Sequence, residues 1–316
     1  MGSNNFYMEN LLTKICEYFS WIYENVRYVC HWIASPEYVL KRMFKKNVGY
    51  PLNLDNPKTF NEKLQWLKLH DHNPLYTTMV DKYAVKKYIA DMIGKQHVIP
   101  TLGVWEHFDE IDFDKLPNQF VLKCTHDSGG VVIVSDKSQM DKVAVKKKLE
   151  NRLKHNYYYH CYEWPYKDVP PRIIAEKFMV DEKNQDVGAD DITDYKFMCF
   201  NGKVCCIFTC TDRRSDDGLK VTFFDNDWNQ MPFTRHYPAA EVGSIPKPVN
   251  FELMKELAEK LADGIVFVRV DFYEINNKVY FGELTFYPGA GMEEFNPLEA
   301  DYELGAWIDL DIQVKK

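Results

Sequence analysis

The sequence predicts an α+β fold, in which helices and antiparallel strands are segregated instead of alternating as βαβ units. Three observations carry this. Residues 1–95 repeat apolar side chains at helical spacing. The stretch DYKFMCFNGKVCCIFTCT (194–211) places two apolar runs around Asn201-Gly202, a strong short-range hairpin signal. The stretch VFVRVDFYEINNKVYFGELTFYPG (266–289) does the same around Asn276-Asn277.

In chain order, the first candidate helix lies within residues 6–34. Ile15, Phe19, Ile22, Val26, Val29 and Ile33 form its apolar face, interrupted by Glu9, Lys14, Glu17 and Glu24. It reads as an amphipathic helix packed on its own protein, or as a docking helix for a membrane surface or a partner. It lacks the basic start and small-residue cleavage site of a signal peptide. No segment reaches the roughly 18 uncharged apolar residues of a membrane span.

The next helix begins at Thr59, with Glu62 at capping-box spacing and Phe60, Leu64 and Leu67 on one face. A further single helix is expected over 75–94, ending at Gly94. Strands follow in QFVLKCT and GVVIVSD, on either side of a small-residue loop, and a Lys-rich helix covers 141–155. RIIAEKFM (172–179) reads as a strand. FELMKELAEKLADG reads as a helix with Leu253, Leu257 and Leu261 in register, and a last helix is expected within 298–310.

Composition narrows the function. A net charge of −8 argues against a general nucleic-acid binder, while leaving room for a local basic site. The eight cysteines are scattered, with no paired CxxC knuckles, so a structural zinc site is not expected and a reducing, cytoplasmic setting is.

Within the last hairpin, Asp271 and Glu283 sit in apolar strands, where an unpaired carboxylate is costly. A three-residue loop (Asn276, Asn277, Lys278) would set Asp271 opposite Glu283 and Arg269 opposite Thr285. A two-residue loop would throw the acids to opposite faces. Facing carboxylates share a proton or hold a cation. Mg²⁺ suits such a pair, because it binds through one or two carboxylates plus substrate phosphates. Lys123, in the strand VLKC, precedes Thr125-His126-Asp127-Ser128-Gly129-Gly130, a turn whose amides and ammonium neighbour could cradle phosphate.

In order, these pieces resemble the ATP-grasp fold, in which two α+β lobes clasp ATP. RVDF (269–272) and ELTFYPG (283–289) resemble the metal motifs of D-alanine–D-alanine ligases. PKTFNEKLQWLKLHD, DKYAVKKYI, LPNQFVLKCTHDSGG and DYKFMCFNGK are similar to the TupA-like branch of that superfamily, which is associated with bacterial surface polysaccharides.

The resemblance implies a helical N-terminal region (1–95) and an ATP-grasp domain (96–316), with a smaller lobe at about 96–180 and a larger one at about 181–316. It implies an ATP- and Mg²⁺-dependent carboxylate–amine ligase working through an acyl phosphate, with a uronic acid and an amine or amino acid as substrates, in capsular or other surface polysaccharide synthesis. Asp271, Glu283 and Thr285 would hold Mg²⁺. Arg269, Lys123 and Lys196 would be catalytic. Lys86, Lys123, Ser128, Gly129, Gly130, Glu176, Lys177, Met179 and Asp194 would bind ATP. Tyr287, Gly289 and Gly291 would border the acceptor site, and Arg213 is a further substrate candidate.

Two departures from the pattern stand out. Thr285 takes the place of an Asn, and Asp127 puts a negative charge in the phosphate loop. The rival readings are a metal-dependent glycosyltransferase using Asp225-Asn226-Asp227 and a non-catalytic ATP-binding scaffold. His126, His236 and the Tyr157-Tyr158-Tyr159 cluster read as secondary candidates, and Lys146-Lys147-Lys148 as a solvated face.

Overall fold

The computed structural model describes residues 34–182, 192–212 and 218–311. The candidate docking helix within 6–34 lies, except for its last residue, outside them. Among the described residues no helix is long and apolar enough to cross a membrane.

Helices α1 (Pro36–Val48), α2 (Phe60–His70), α3 (Leu75–Val80) and α4 (Ala84–Met92) open the chain. The capping box at the start of α2 forms as the sequence predicts: Thr59 accepts from the Glu62 amide, and Glu62 accepts from the Thr59 amide. The single helix expected over 75–94 is broken. Asp81 is extended, and its side chain accepts from the Tyr83 and Ala84 amides while pairing with Arg172 at 2.5 Å. An Asp that caps the following amides offers the backbone an alternative to continuing the helix.

The strands form two principal sheets, with every pairing antiparallel. One contains β1 (Thr101–Trp105), β2 (Phe120–Cys124), β3 (Val131–Val134) and β4 (Ile173–Lys177), in the order β1-β4-β2-β3. Helix α5 (Lys142–Leu153) covers it, burying Val145 and Leu149 against Phe120, Leu122 and Ile173.

The other sheet contains β5 (Asp194–Phe200), β6 (Lys203–Thr211), β7 (Lys220–Phe224), β9 (Phe267–Ile275) and β10 (Lys278–Thr285), in the order β10-β9-β5-β6-β7. A two-stranded ribbon pairs β8 (Thr234–Arg235) with β11 (Phe295–Asn296). A short helix, α6 (Tyr158–Cys161), follows α5.

Helix α7 (Phe251–Ala262) packs on the five-stranded sheet through Phe251, Met254, Leu257, Ala258 and Leu261. Leu253, read from sequence as part of that face, is instead 38 % exposed, because the stripe follows 251, 254, 258 and 261. Helices α2 and α8 (Glu299–Ala306) also join this core, where Phe60 meets Phe267 edge-on with centroids 4.9 Å apart. Helix α1 forms a separate cluster with Leu52, Tyr162 and Met292.

Candidate active site

The last hairpin departs from its expected loop yet keeps the expected facing. Lys278 pairs with Ile275, so the loop has two residues, and both Asn276 and Asn277 adopt left-handed φ (52° and 60°). A bulge between Phe281 and Glu283 then shifts the register by one residue. Glu283 thereby falls opposite Asp271, and Thr285 opposite Arg269. Gly282 is the bulged residue, and a Cβ there would lie 3.1 Å from both the Asp271 carbonyl and the Tyr273 ring.

The two acids do not face each other alone. Arg269 donates from Nε to Asp271 Oδ1 at 2.7 Å, and from an Nη to Asp271 Oδ2 at 2.7 Å and to Glu283 Oε1 at 2.8 Å. Lys196, directly across on β5, reaches Asp271 Oδ2 at 2.5 Å and Asp194 Oδ2 at 2.6 Å. The chain therefore neutralises its own acid pair. Desolvation works against a charged Glu283, but Arg269, Lys196 and Lys82 outweigh it and hold the carboxyl below its ordinary value. Arg269 and Lys196 are buried, yet Asp271 keeps both firmly protonated. Thr285 Oγ1 sits 3.4 Å from Glu283 Oε1.

A second charge cluster lies on the four-stranded sheet. Glu176 receives Lys86 at 2.5 Å and Lys123 at 2.6 Å, one lysine on each carboxylate oxygen. Desolvation would raise the Glu176 pKa, but the two lysines lower it. The Glu176 side chain thus organises the two lysines, a role not assigned to it from sequence, where it was a candidate ATP-binding residue.

Asp194, Lys196, Asp271 and Glu283 of the first cluster and Lys86, Lys123 and Glu176 of the second line one cleft of about 520 Å³ between the two sheets, together with Ser128, Gly129, Lys177 and Met179. Asp127 and Gly130 do not line it. The Asp127 carboxylate is buried, stands 3.4 Å from Arg152 and packs over Gly130, turned away from the cleft. Lys82, which sequence reasoning missed, also lines the cleft and donates to the Asp127 carbonyl. The helix break at Asp81 brings it there, the Lys82 amide bonding the Thr125 carbonyl at 3.1 Å. An Asp directly before a lysine inside an apparent helix was the available signal.

A second cavity of about 640 Å³ adjoins the first, sharing Ser128, Tyr166 and Glu283 with it. Arg269, Thr285, Tyr287 and Gly289 reach this cavity. Gly291 does not: it is buried beneath α2, its carbonyl accepting from Gln65 Nε2 at 2.6 Å. Met43, Lys46, Asn47, Tyr157, Glu163 and Glu293 also line it, of which only Tyr157 was a candidate from sequence.

Arg213 lies outside the described residues. Asp225 and Asp227 line neither cavity. Asp225 accepts from the amides of Asp227 and Asn229 and from the Asn229 side chain, as a turn-forming Asp does. His126 bonds the Arg152 and His155 carbonyls, and neither His126 nor His236 lines either cavity.

Among solved structures, the chain is similar to a D-alanine–D-alanine ligase from Bacillus anthracis complexed with ATP. The identity is 15%, the match covers 77% of this chain and 68% of that one, and the TM-score is 0.42. It is also similar to the D-alanine–D-alanine ligase from Helicobacter pylori, at 14% identity, 80% and 67% coverage and TM-score 0.42. A third is a RimK-domain ATP-grasp protein from Sphaerobacter thermophilus, at 13% identity, 74% and 69% coverage and TM-score 0.38. No curated protein matches the chain significantly. A family model described as TupA-like ATPgrasp matches residues 62–309, and the chain belongs to this family of ATP-grasp proteins, which use ATP and Mg²⁺.

Proposed function

We propose that the protein is an ATP-dependent carboxylate–amine ligase that forms an amide through an acyl phosphate. The observation that carries this reading is the junction of the two cavities. Glu283 lines both the cation-lined cleft and the second chamber, and Arg269, bonded to it at 2.8 Å, lines the chamber, so a group activated in one is exposed to a nucleophile in the other.

The residues fit the nucleotide and its metal. Lys82, Lys86, Lys123, Lys177 and Lys196 give the cleft five ammonium groups, two of them borrowed from a single carboxylate, Glu176. Triphosphate oxygens would compete with Glu176 for Lys86 and Lys123. Among the described residues no group of three His, Cys, Asp or Glu side chains could hold a metal ion. Two facing carboxylates and a hydroxyl need phosphate oxygens to complete a shell, which is the Mg²⁺ pattern. Asp271 and Glu283 would hold the ion, with Thr285 as a weaker neighbour. When bound, Mg²⁺ neutralises charge on the transferred phosphoryl group.

In the first step a substrate carboxylate oxygen attacks the γ-phosphorus, and the bond to the ADP oxygen breaks. Lys123 and Arg269 supply positioning and charge neutralisation, which dominate phosphoryl transfer. In the second step an amine nitrogen attacks the acyl carbon, and the bond to phosphate breaks. No side-chain nucleophile is needed. We assign the carboxylate to a uronic acid and the amine to an amino acid or a related amine of bacterial surface polysaccharide synthesis, in keeping with the family. The glycosyltransferase reading is disfavoured because Asp225 is committed to its turn.

The test is ADP release by coupled assay from ATP, Mg²⁺ and a panel of uronic acids and amino acids, with Asp271→Asn and Glu283→Gln alongside. Turnover that needs both substrates and vanishes in the variants supports the ligase. Transfer from a nucleotide sugar without ATP consumption refutes it.

A further inference from the structure

Three acids line the second cavity: Glu163, Glu283 and Glu293. Two are matched by a cation of the chain, Glu283 by Arg269 at 2.8 Å and Glu293 by Arg235 at 2.6 Å. Glu163 is 5 % exposed and has no Lys, Arg or His among the described residues within ion-pair distance. The nearby cations are committed elsewhere. Lys68 donates to Gln65 Oε1 and the Ala290 carbonyl, and Arg269 to Asp271 and Glu283.

Burying a carboxylate without a partner is costly, and nothing in the packing of this segment requires one. Its backbone is fixed by other means. The Glu163 carbonyl accepts from the Tyr166 amide, and Trp164 stacks on His72 with rings 5.0 Å apart and 13° from parallel.

We propose that Glu163 is the anchor for the protonated amine of the nucleophilic substrate, with Tyr157 and Tyr166 as the aromatic corner beside it. The inference rests on the ligase reading and names the pole of the second cavity that takes the amine. The two rings meet edge to face at 4.8 Å, a corner able to border a cation. Arg269, bonded at 2.8 Å to the Glu283 carboxylate that lines both cavities, supplies the opposite pole for the activated carboxyl group.

Desolvation pushes the Glu163 carboxyl up to about 7, against the lowering effects of Lys68 and Arg269 and with a further raise from Glu283. Tyr157, Tyr166 and Tyr287 are each raised in part by Glu163, and Lys46, His160 and Cys161 line the same cavity. A carboxylate in that state gains most from an incoming cation. It also suits passing one ammonium proton to Glu163 before the nitrogen attacks, the second proton leaving with the displaced phosphate.

The test is calorimetric binding of methylamine, ethanolamine, L-alanine and L-lysine to the full chain with Mg²⁺ and the non-hydrolysable analogue AMP-PNP. The wild type is compared with Glu163→Gln, which keeps the shape, and Glu163→Asp, which keeps the charge. The expected result is binding of at least one amine, weakened tenfold or more in Glu163→Gln and less in Glu163→Asp, with AMP-PNP affinity unchanged within twofold. Amines that bind Glu163→Gln as tightly as wild type overturn the proposal. So does absence of amine binding to the wild type while AMP-PNP still binds, an outcome that leaves the ligase reading standing. Failure of the wild type to bind AMP-PNP removes the ligase reading and the proposal with it.

Discussion

Replacing Glu163 with Gln is expected to stabilise the protein at neutral pH and to leave it unchanged at pH 4.5. The side chain is buried, and its carboxyl titrates at about 7 in the fold against an ordinary 4.5. Between those values the folded chain retains a proton that the unfolded chain has released. The folded state therefore binds more protons there, and stability falls as pH rises through the window. At 1.36 kcal/mol per unit, the full cost above pH 7 is about 3 kcal/mol. Glutamine does not titrate, so the difference between variant and wild type should be near zero at pH 4.5 and grow to about 3 kcal/mol by pH 8. Urea unfolding followed by circular dichroism at four pH values measures it. Any fixed cost of burying the amide shifts all four points together and leaves the slope intact. A difference that is flat with pH, or larger on the acid side, would refute the reasoning.

Three further outcomes are expected. Asp271→Asn and Glu283→Gln should each lower substrate-dependent ADP release by about 10²-fold or more, since each removes charge from the phosphoryl-transfer site; steady-state kinetics checks this. Gly282→Ala puts a Cβ 3.1 Å from the Asp271 carbonyl, so the bulge must shift. Its cost in thermal unfolding should be about 1 kcal/mol, with a loss of ADP release out of proportion to that. Gly305→Ala drives a Cβ into the Lys58 carbonyl and to 2.7 Å from the Phe60 nitrogen. Because these are backbone atoms at the start of α2, destabilisation of about 3 kcal/mol is expected in urea unfolding.

The last hairpin shows how far sequence reasoning reaches. Alternation and the Asn-Asn turn located both strands and placed the two carboxylates on a common face. The route was different, because a two-residue loop plus a bulge at Gly282 gives the same final register as a three-residue loop. The pattern of buried side chains constrained the end state, while the turn chemistry was ambiguous by one residue. Gly282, a residue that favours a bulge inside a strand, was the missing signal.

Lys123, Lys86 and Glu176 were legible as individual residues but not as a cluster, since β2, α4 and β4 come together only in the tertiary fold. Glu163 and Lys46 were not legible as site residues. Neither belongs to a motif, and their roles come from segments that close over the cavity from outside the sheets. Gly291 was misplaced because four consecutive residues of a tight turn, 288–291, cannot all face the same space.

The placement of α1 has a consequence for how such a protein diversifies. Met43, Lys46 and Asn47 form part of the second cavity, yet they precede residue 62, where the family match begins. The five lysines of the cleft all lie within the match. One wall of the second cavity is thus carried by chain that precedes the match, while Glu163, Tyr166, Arg269, Tyr287 and Glu293 on its other walls lie inside it. Exchanging the segment before residue 62 between relatives would reshape that one wall and leave the lysines of the cleft where they are.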